Sequence, residues 1–188
     1  MPLRARTLLL SACLLTALAC LLPAAASAGK RASTGGVSTS DPRFAPTKKA
    51  KIVNGIAIPP KGAPPQVVDA IEAGNRIIRK PYKYGGGHAR VEDSGYDCSG
   101  TVSYALIGAD LLTTPLDSSG FMKWGLPGKG RWMTVYTNPG HAFMVVAGLR
   151  LDTGFRSNRV RGTHPGRGPR WDRPRPTSGF TARHPNGL

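Results

Sequence analysis

Apolar residues recur along this chain first at helical spacing and later in short runs of strand type. In PQVVDAIEAGNRIIRK, residues 65–80, Val67, Val68, Ile71, Ile77 and Ile78 follow a helical period, and Pro65 suits a helix start. Gly74 weakens that helix from within. The turn PYKYGGG, residues 81–87, ends it. A second helix is predicted from Cys98, with Asp97 as N-cap and Val102, Ala105, Leu106 and Ala109 as its apolar stripe. Residues 113–130 carry Pro115, Pro127 and several glycines and read as loop. RWMTVYTN, HAFMVVA and LRLD then read as three short strands separated by turn residues. The final 35 or so residues, rich in Arg, Gly and Pro, read as irregular. Helices followed by a small antiparallel sheet define an α+β domain, with the Cys-headed helix packed on the sheet.

The two ends of the chain change this picture. Residues 1–28 have the build of a secretory signal peptide: Arg4 and Arg6, then a Leu/Ala-rich stretch, then the small-x-small site Ala26-Ser27-Ala28. Pro23 interrupts the apolar stretch, which argues against a retained anchor. Residues 29–64 are basic and rich in Pro, Gly and Ser, and are expected to be an extended linker. Within it, KIVNGIAI, residues 51–58, has the makings of a short docking strand. Residues 65–188 form the expected domain, ending in the Arg-rich tail.

Export makes the cysteine count informative. The chain has three cysteines, and Cys13 and Cys20 lie in the leader. Cys98 is left without an intramolecular partner. Exported proteins usually pair their cysteines or lack them. A lone Cys is commonly a small buried hydrophobe, but outside the cell an idle thiol is open to oxidation. The formal net charge of +16 at pH 7 points to a polyanionic surface, and for an exported protein that means a cell-wall or membrane surface, with nucleic acid as the runner-up. The tail lacks the interleaved aromatics of a nucleic-acid stacking platform, and no finger or helix-turn-helix pattern is present. The expected partner is peptidoglycan or another anionic wall polymer, met by a monomer with no nucleic acid and no stable membrane insertion.

A cysteine at the first position of a helix sits among unsatisfied N–H groups at the positive end of the helix dipole, which favours thiolate. A thiolate nucleophile needs a base, and histidine suits near-neutral pH. The histidines are His88, His141, His164 and His184. His88 lies in the glycine-rich loop, and His164 and His184 lie in the tail. His141 heads an apolar strand, where a sheet can hold its ring rigidly. If HAFMVV and LRLD pair through a turn at Ala147-Gly148, Val146 faces Leu149 and Phe143 faces Asp152. Asp152 then becomes the diagonal neighbour of His141. A one-residue slip would undo that placement. No HExxH or CxxC pattern suggests a metal, and GLPGKGRW lacks phosphate-loop spacing, so no cofactor is expected.

These residues resemble a known family. Pro81-Tyr82-x-Tyr84-Gly85-Gly86, then Asp97-Cys98-Ser99-Gly100, then Gly140-His141 are similar in order and context to the NlpC-type cell-wall cysteine peptidases. The resemblance covers about residues 65–155. It implies a papain-like α+β fold and hydrolysis of peptidoglycan stem peptides, commonly between D-γ-glutamate and a diamino acid. It implies Cys98 as nucleophile, His141 as base and Asp152 near the third polar position, with Tyr82 and Ser99 on the substrate side. The family's third residue is usually His, sometimes Asn or Gln, so Asp152 is a departure. The family's Gly-Asp upstream of the His is absent, and RWMTVYTNPG stands there. The competing readings are a basic wall-binding domain without turnover, and a Cys-His amidase or acyltransferase acting on another wall amide.

Overall fold

The computed structural model describes residues 49–154 and 168–188. All belong to the second of the chain's two units, Gly36–Leu188. The predicted leader, His164 and most of the basic linker lie outside the described residues. No helix among the described residues is long and apolar enough to cross a membrane.

The fold is α+β. Helix α1 spans Pro65–Ile77, with proline in its first turn and Val67, Ala70, Ile71, Ala73, Gly74 and Ile77 buried. Helix α2 spans Cys98–Ile107. Every residue from Ser99 to Leu106 is buried, so α2 is enclosed on all sides rather than along one stripe. It packs against α1 and against two strands of the sheet, β5 (His141–Val146) and β6 (Leu149–Asp152). Its buried hydroxyls are bonded within the fold, Thr101 donating to Asp97 O at 2.7 Å and Ser103 to Leu116 O at 3.2 Å.

The main sheet is six-stranded, in the order β3-β8-β4-β5-β6-β7, with all pairings antiparallel. Its other members are β3 (Leu126–Pro127), β4 (Met133–Asn138), β7 (Arg170–Asp172) and β8 (Thr181–His184). β5 and β6 pair with Val146 opposite Leu149 and Met144 opposite Leu151. Continued outward, that register sets Phe143 against Asp152, as the strand pattern anticipates. Ala147 and Gly148 both take positive φ, 45° and 83°. This is the turn geometry that matches the twist of a two-residue hairpin.

Three segments differ from the sequence expectation. The end of the linker is a hairpin, β1 (Lys51–Val53) with β2 (Ile56–Ile58), turned at Asn54-Gly55 with φ 50° and 83°. Asn-Gly is the preferred pair for such a turn. The hairpin is tied down: Ala57 exchanges two hydrogen bonds of 2.9 Å with the Asn75 side chain, and Ala50 N–H donates to Ala147 O at 2.9 Å. The expected loop at 113–130 contains a short helix, α3 (Ser118–Phe121), whose N-cap Asp117 accepts from Gly120 N. The tail, expected to be irregular, supplies β7 and β8. β7 extends the sheet beyond β6, and β8 inserts between β3 and β4. Trp171 of β7 packs on Gly74, where a Cβ would lie 2.5 Å from its ring, and its Nε1–H donates to Asn75 at 2.9 Å. The glycine that weakens α1 in isolation makes room for the indole.

Candidate active site

The start of α2 is built around Asp97. Its Oδ1 accepts from Gly100 N at 2.7 Å, a side-chain cap, and its Oδ2 accepts from Gly85 N at 3.0 Å. His88 Nε2 lies 3.0 Å from Oδ1. The glycine-rich turn is thereby bound to the helix start. Gly100 is required there, because a Cβ would run into the Gly86 carbonyl. Cys98 follows the cap directly and is the free cysteine among the described residues, partly exposed.

Burial pushes the Cys98 thiol up, yet its pKa lies below the ordinary value. The His141 side chain, the Ala142 backbone N–H and the Ser118 hydroxyl all stabilise the thiolate and outweigh burial. Ser118 Oγ stands 3.7 Å from the sulfur. Ser118 is itself placed by α3, and its carbonyl accepts from the Thr137 hydroxyl.

His141 opens β5 with its ring partly exposed. Nε2 lies 2.9 Å from Asp152 Oδ1, which leaves Nδ1 for the sulfur. Burial lowers the pKa of the ring, but Asp152 and the Cys98 thiolate more than offset this and raise it to about 9. The two shifts are complementary, and each group favours the charged form of the other: thiolate on Cys98, imidazolium on His141.

Asp152 is fully buried at 0% exposure. A carboxylate in that position needs partners. Its Oδ1 takes the His141 ring and the Gly154 N–H, the latter at 2.7 Å. Its Oδ2 faces two guanidinium groups, Arg150 at 3.3 Å and Arg175 at 3.7 Å. These are ion-pair contacts rather than aligned hydrogen bonds. Arg150 also donates to Asp172 Oδ2 at 3.1 Å. Two rings bracket His141: Phe143 at 6.1 Å and Phe180 at 6.3 Å between centroids.

Of the residues singled out from sequence, Cys98, His141 and Asp152 come together from α2, β5 and β6. Tyr82 is half-buried, bridged to Tyr96. Its hydroxyl pKa is raised by burial and then by the negative charges of Cys98 and Asp97. Ser99, expected on the substrate side, is buried at 4% exposure. Its hydroxyl is turned to Asp97 Oδ1 at 3.3 Å and His88 Nε2 at 3.2 Å. His184 is also apart, with Nδ1 against Gly128 O. Sequence reasoning missed Ser118, Arg175 and Phe180. The Asp117-x-x-Gly120 spacing is a legible helix cap and could have pointed to Ser118; nothing local marks Arg175 or Phe180. Among the described residues no group of three His, Cys, Asp or Glu is placed to hold a metal.

An α+β domain with a capped cysteine, a histidine on the adjoining strand and a buried carboxylate behind it has the equipment for acyl transfer through sulfur. No family model matches the chain, and no curated protein matches it. Solved structures do show similarity. The peptidoglycan hydrolase RipB from Mycobacterium tuberculosis is 20% identical, aligned over 68% of each chain with a TM-score of 0.49. An NlpC/P60 family protein from Bacillus cereus is 17% identical, over 66% of this chain and 41% of its own, with a TM-score of 0.47. NlpC1 from Trichomonas vaginalis is 18% identical, over 65% of this chain and 45% of its own, with a TM-score of 0.45. The chain thus spans less than half the length of the last two.

Proposed function

We propose that this protein is an exported, divergent NlpC-type cysteine peptidase that hydrolyses amide bonds in peptidoglycan stem peptides, at the bond between D-γ-glutamate and a diamino acid. The observation that carries the reading is the alignment of Cys98, His141 and Asp152, with the thiol pKa depressed and the imidazole pKa raised to about 9. The leader-like sequence of residues 1–28 and the net charge of +16 support export and attraction to an anionic wall.

The Cys98 thiolate attacks the amide carbonyl carbon. The oxyanion that forms is stabilised by N–H groups at the α2 start, with the Tyr82 hydroxyl as a further donor, the role the family resemblance gives it. The imidazolium of His141 gives its proton to the leaving amine as the C–N bond breaks, leaving a thioester on Cys98 and a neutral imidazole. That imidazole takes a proton from water, the hydroxide adds to the thioester, and the acid leaves as the thiolate is restored. Asp152 holds the ring in register through both halves and balances its charge.

Purified protein incubated with muropeptides from a diaminopimelate-type wall, with products followed by mass spectrometry, tests the proposal. Cleavage at the D-glutamyl–diamino acid bond that vanishes in Cys98→Ala supports it. Cys98-dependent cleavage at another amide changes the substrate and keeps the chemistry. Equal wall binding by both proteins with no cleavage replaces the peptidase with a binding domain.

A further inference from the structure

Arg175 lies between β7 and β8, in the tail beyond the residues that carry the family resemblance. Its guanidinium carbon sits 5.6 Å from the centre of the Phe143 ring and 5.7 Å from that of Phe180. These are the rings that bracket His141. Phe143 and Phe180 also pack on each other edge-to-face, 5.1 Å between centroids. Pro174 and Pro176 flank the arginine, and proline limits φ to about −65°. Both the backbone and the head of this side chain are therefore restrained.

The head retains binding capacity. Its contact with Asp152, at 3.7 Å, is longer than a hydrogen bond. Asp152 already has His141, the Gly154 N–H and Arg150. The Arg175 side chain keeps 27% of its surface exposed. A planar cation with donors to spare, stacked on aromatic faces, is suited to bidentate capture of a carboxylate.

The chemistry decides which half of the substrate meets it. His141 protonates the leaving amine, so the amine-side residue lies toward His141. Arg175 rests on the rings on that side. We propose that Arg175 is a specificity-determining residue that binds a carboxylate of the leaving diamino acid. The proposal deepens the peptidase reading and rests on it. A carboxamide at that position carries no charge and turns an N–H donor toward the cation, so amidated stems are the poorer substrates.

The test uses two synthetic D-γ-glutamyl–diaminopimelyl peptides, one with the diamino acid carboxylates free and one with them as carboxamides. The readout is the ratio of kcat/KM between the two, for the unaltered protein, Arg175→Gln and Arg175→Lys. The unaltered protein is expected to prefer the free acid by about tenfold or more, the scale of a charge-assisted bond. Arg175→Gln brings the ratio to about one, and Arg175→Lys, which keeps the charge without the fork, falls between. A ratio near one in the unaltered protein, or a ratio that Arg175→Gln leaves unchanged, overturns the proposal. The latter would reduce Arg175 to a support for Asp152. Because the first comparison needs no variant, a variant that fails to fold does not block the answer. If neither peptide is cleaved, calorimetric binding to Cys98→Ala separates the two ideas. Preferential binding of the free acid keeps the anchor and removes the peptidase; binding of neither overturns both.

Discussion

Asp152 Oδ1 lies 2.9 Å from His141 Nε2, and the carboxylate is wholly buried while the ring reaches solvent. The acid is the fixed partner and the base is the one that can meet a substrate. Replacing Asp152 by Ala removes the orienting group and leaves two guanidinium groups facing an apolar gap. Stability is expected to fall by about 3–5 kcal/mol, the cost of breaking a buried pair from one side, and kcat/KM by on the order of a hundredfold or more. Asp152→Asn keeps a hydrogen-bond acceptor but no charge, so the His141 pKa should drop from about 9 toward 6.5. Urea unfolding and histidine proton NMR give the two readouts. An unchanged His141 titration in Asp152→Asn would contradict the assigned cause.

The opposed shifts of Cys98 and His141 set a pH window. The proposed peptidase activity needs the thiolate and the imidazolium together. The acid limb follows protonation of Cys98, below its ordinary thiol value, and the alkaline limb follows loss of the His141 proton near 9. The His141 pKa is raised on folding, so its contribution to stability is full below 6.5 and is lost as pH rises through about 9. Alkylation of Cys98 by iodoacetamide at pH 7 should therefore be sharply slower in His141→Ala than in the unaltered protein. Equal rates in the two proteins would remove the ion pair.

Ser118 donates toward the sulfur from outside the motif. Ser118→Ala removes one hydrogen bond to the thiolate, a change of about 0.5–1.5 kcal/mol. The alkylation midpoint should move to higher pH by several tenths of a unit to about one unit, with the fold intact by circular dichroism. A midpoint that stays put would assign Ser118 to packing alone.

Asp97 does more than cap a helix. A lost cap costs about 0.5–2 kcal/mol. Asp97→Ala also strands the Gly85 N–H and removes one of the two partners of His88, so a loss of about 2–4 kcal/mol is expected in urea unfolding. A cost below 0.5 kcal/mol would show that the glycine turn holds its position without this carboxylate.

Gly74→Ala sets two effects against each other. Alanine gains about 1 kcal/mol in helix propensity. The new methyl would stand 2.5 Å from the Trp171 ring, and overpacking costs about 1–3 kcal/mol. The clash should win, lowering Tm. A raised Tm would mean that β7 shifts freely on α1.

Much of the site was readable from local pattern. Asp97 ahead of an apolar run marked the helix start and with it the exposure of Cys98 to helix N–H groups. The Ala147-Gly148 pair set the β5–β6 register, and a two-residue turn leaves little room for slippage, so Asp152 could be placed beside His141. Ser99 was not readable. In the sequence it adjoins the nucleophile, but on a helix adjacent residues point about 100° apart, and that turn carries its hydroxyl to Asp97 and His88.

Features that depend on neighbours a few residues apart are written in local pattern: the starts of α1 and α2, the hairpin of β5 and β6, and the placing of Asp152 beside His141 that the hairpin brings about. Features delivered from far along the chain depend on packing instead. β7 and β8 are RWD and TARH, too short and too polar to show strand alternation; they are strands because β6 and β4 offer them backbone partners. Only once they pair does the segment between them bring Arg175 and Phe180 to His141. Local propensity is set by adjacent dihedrals and side chains, whereas those contacts are set by which edges remain open after the core has formed.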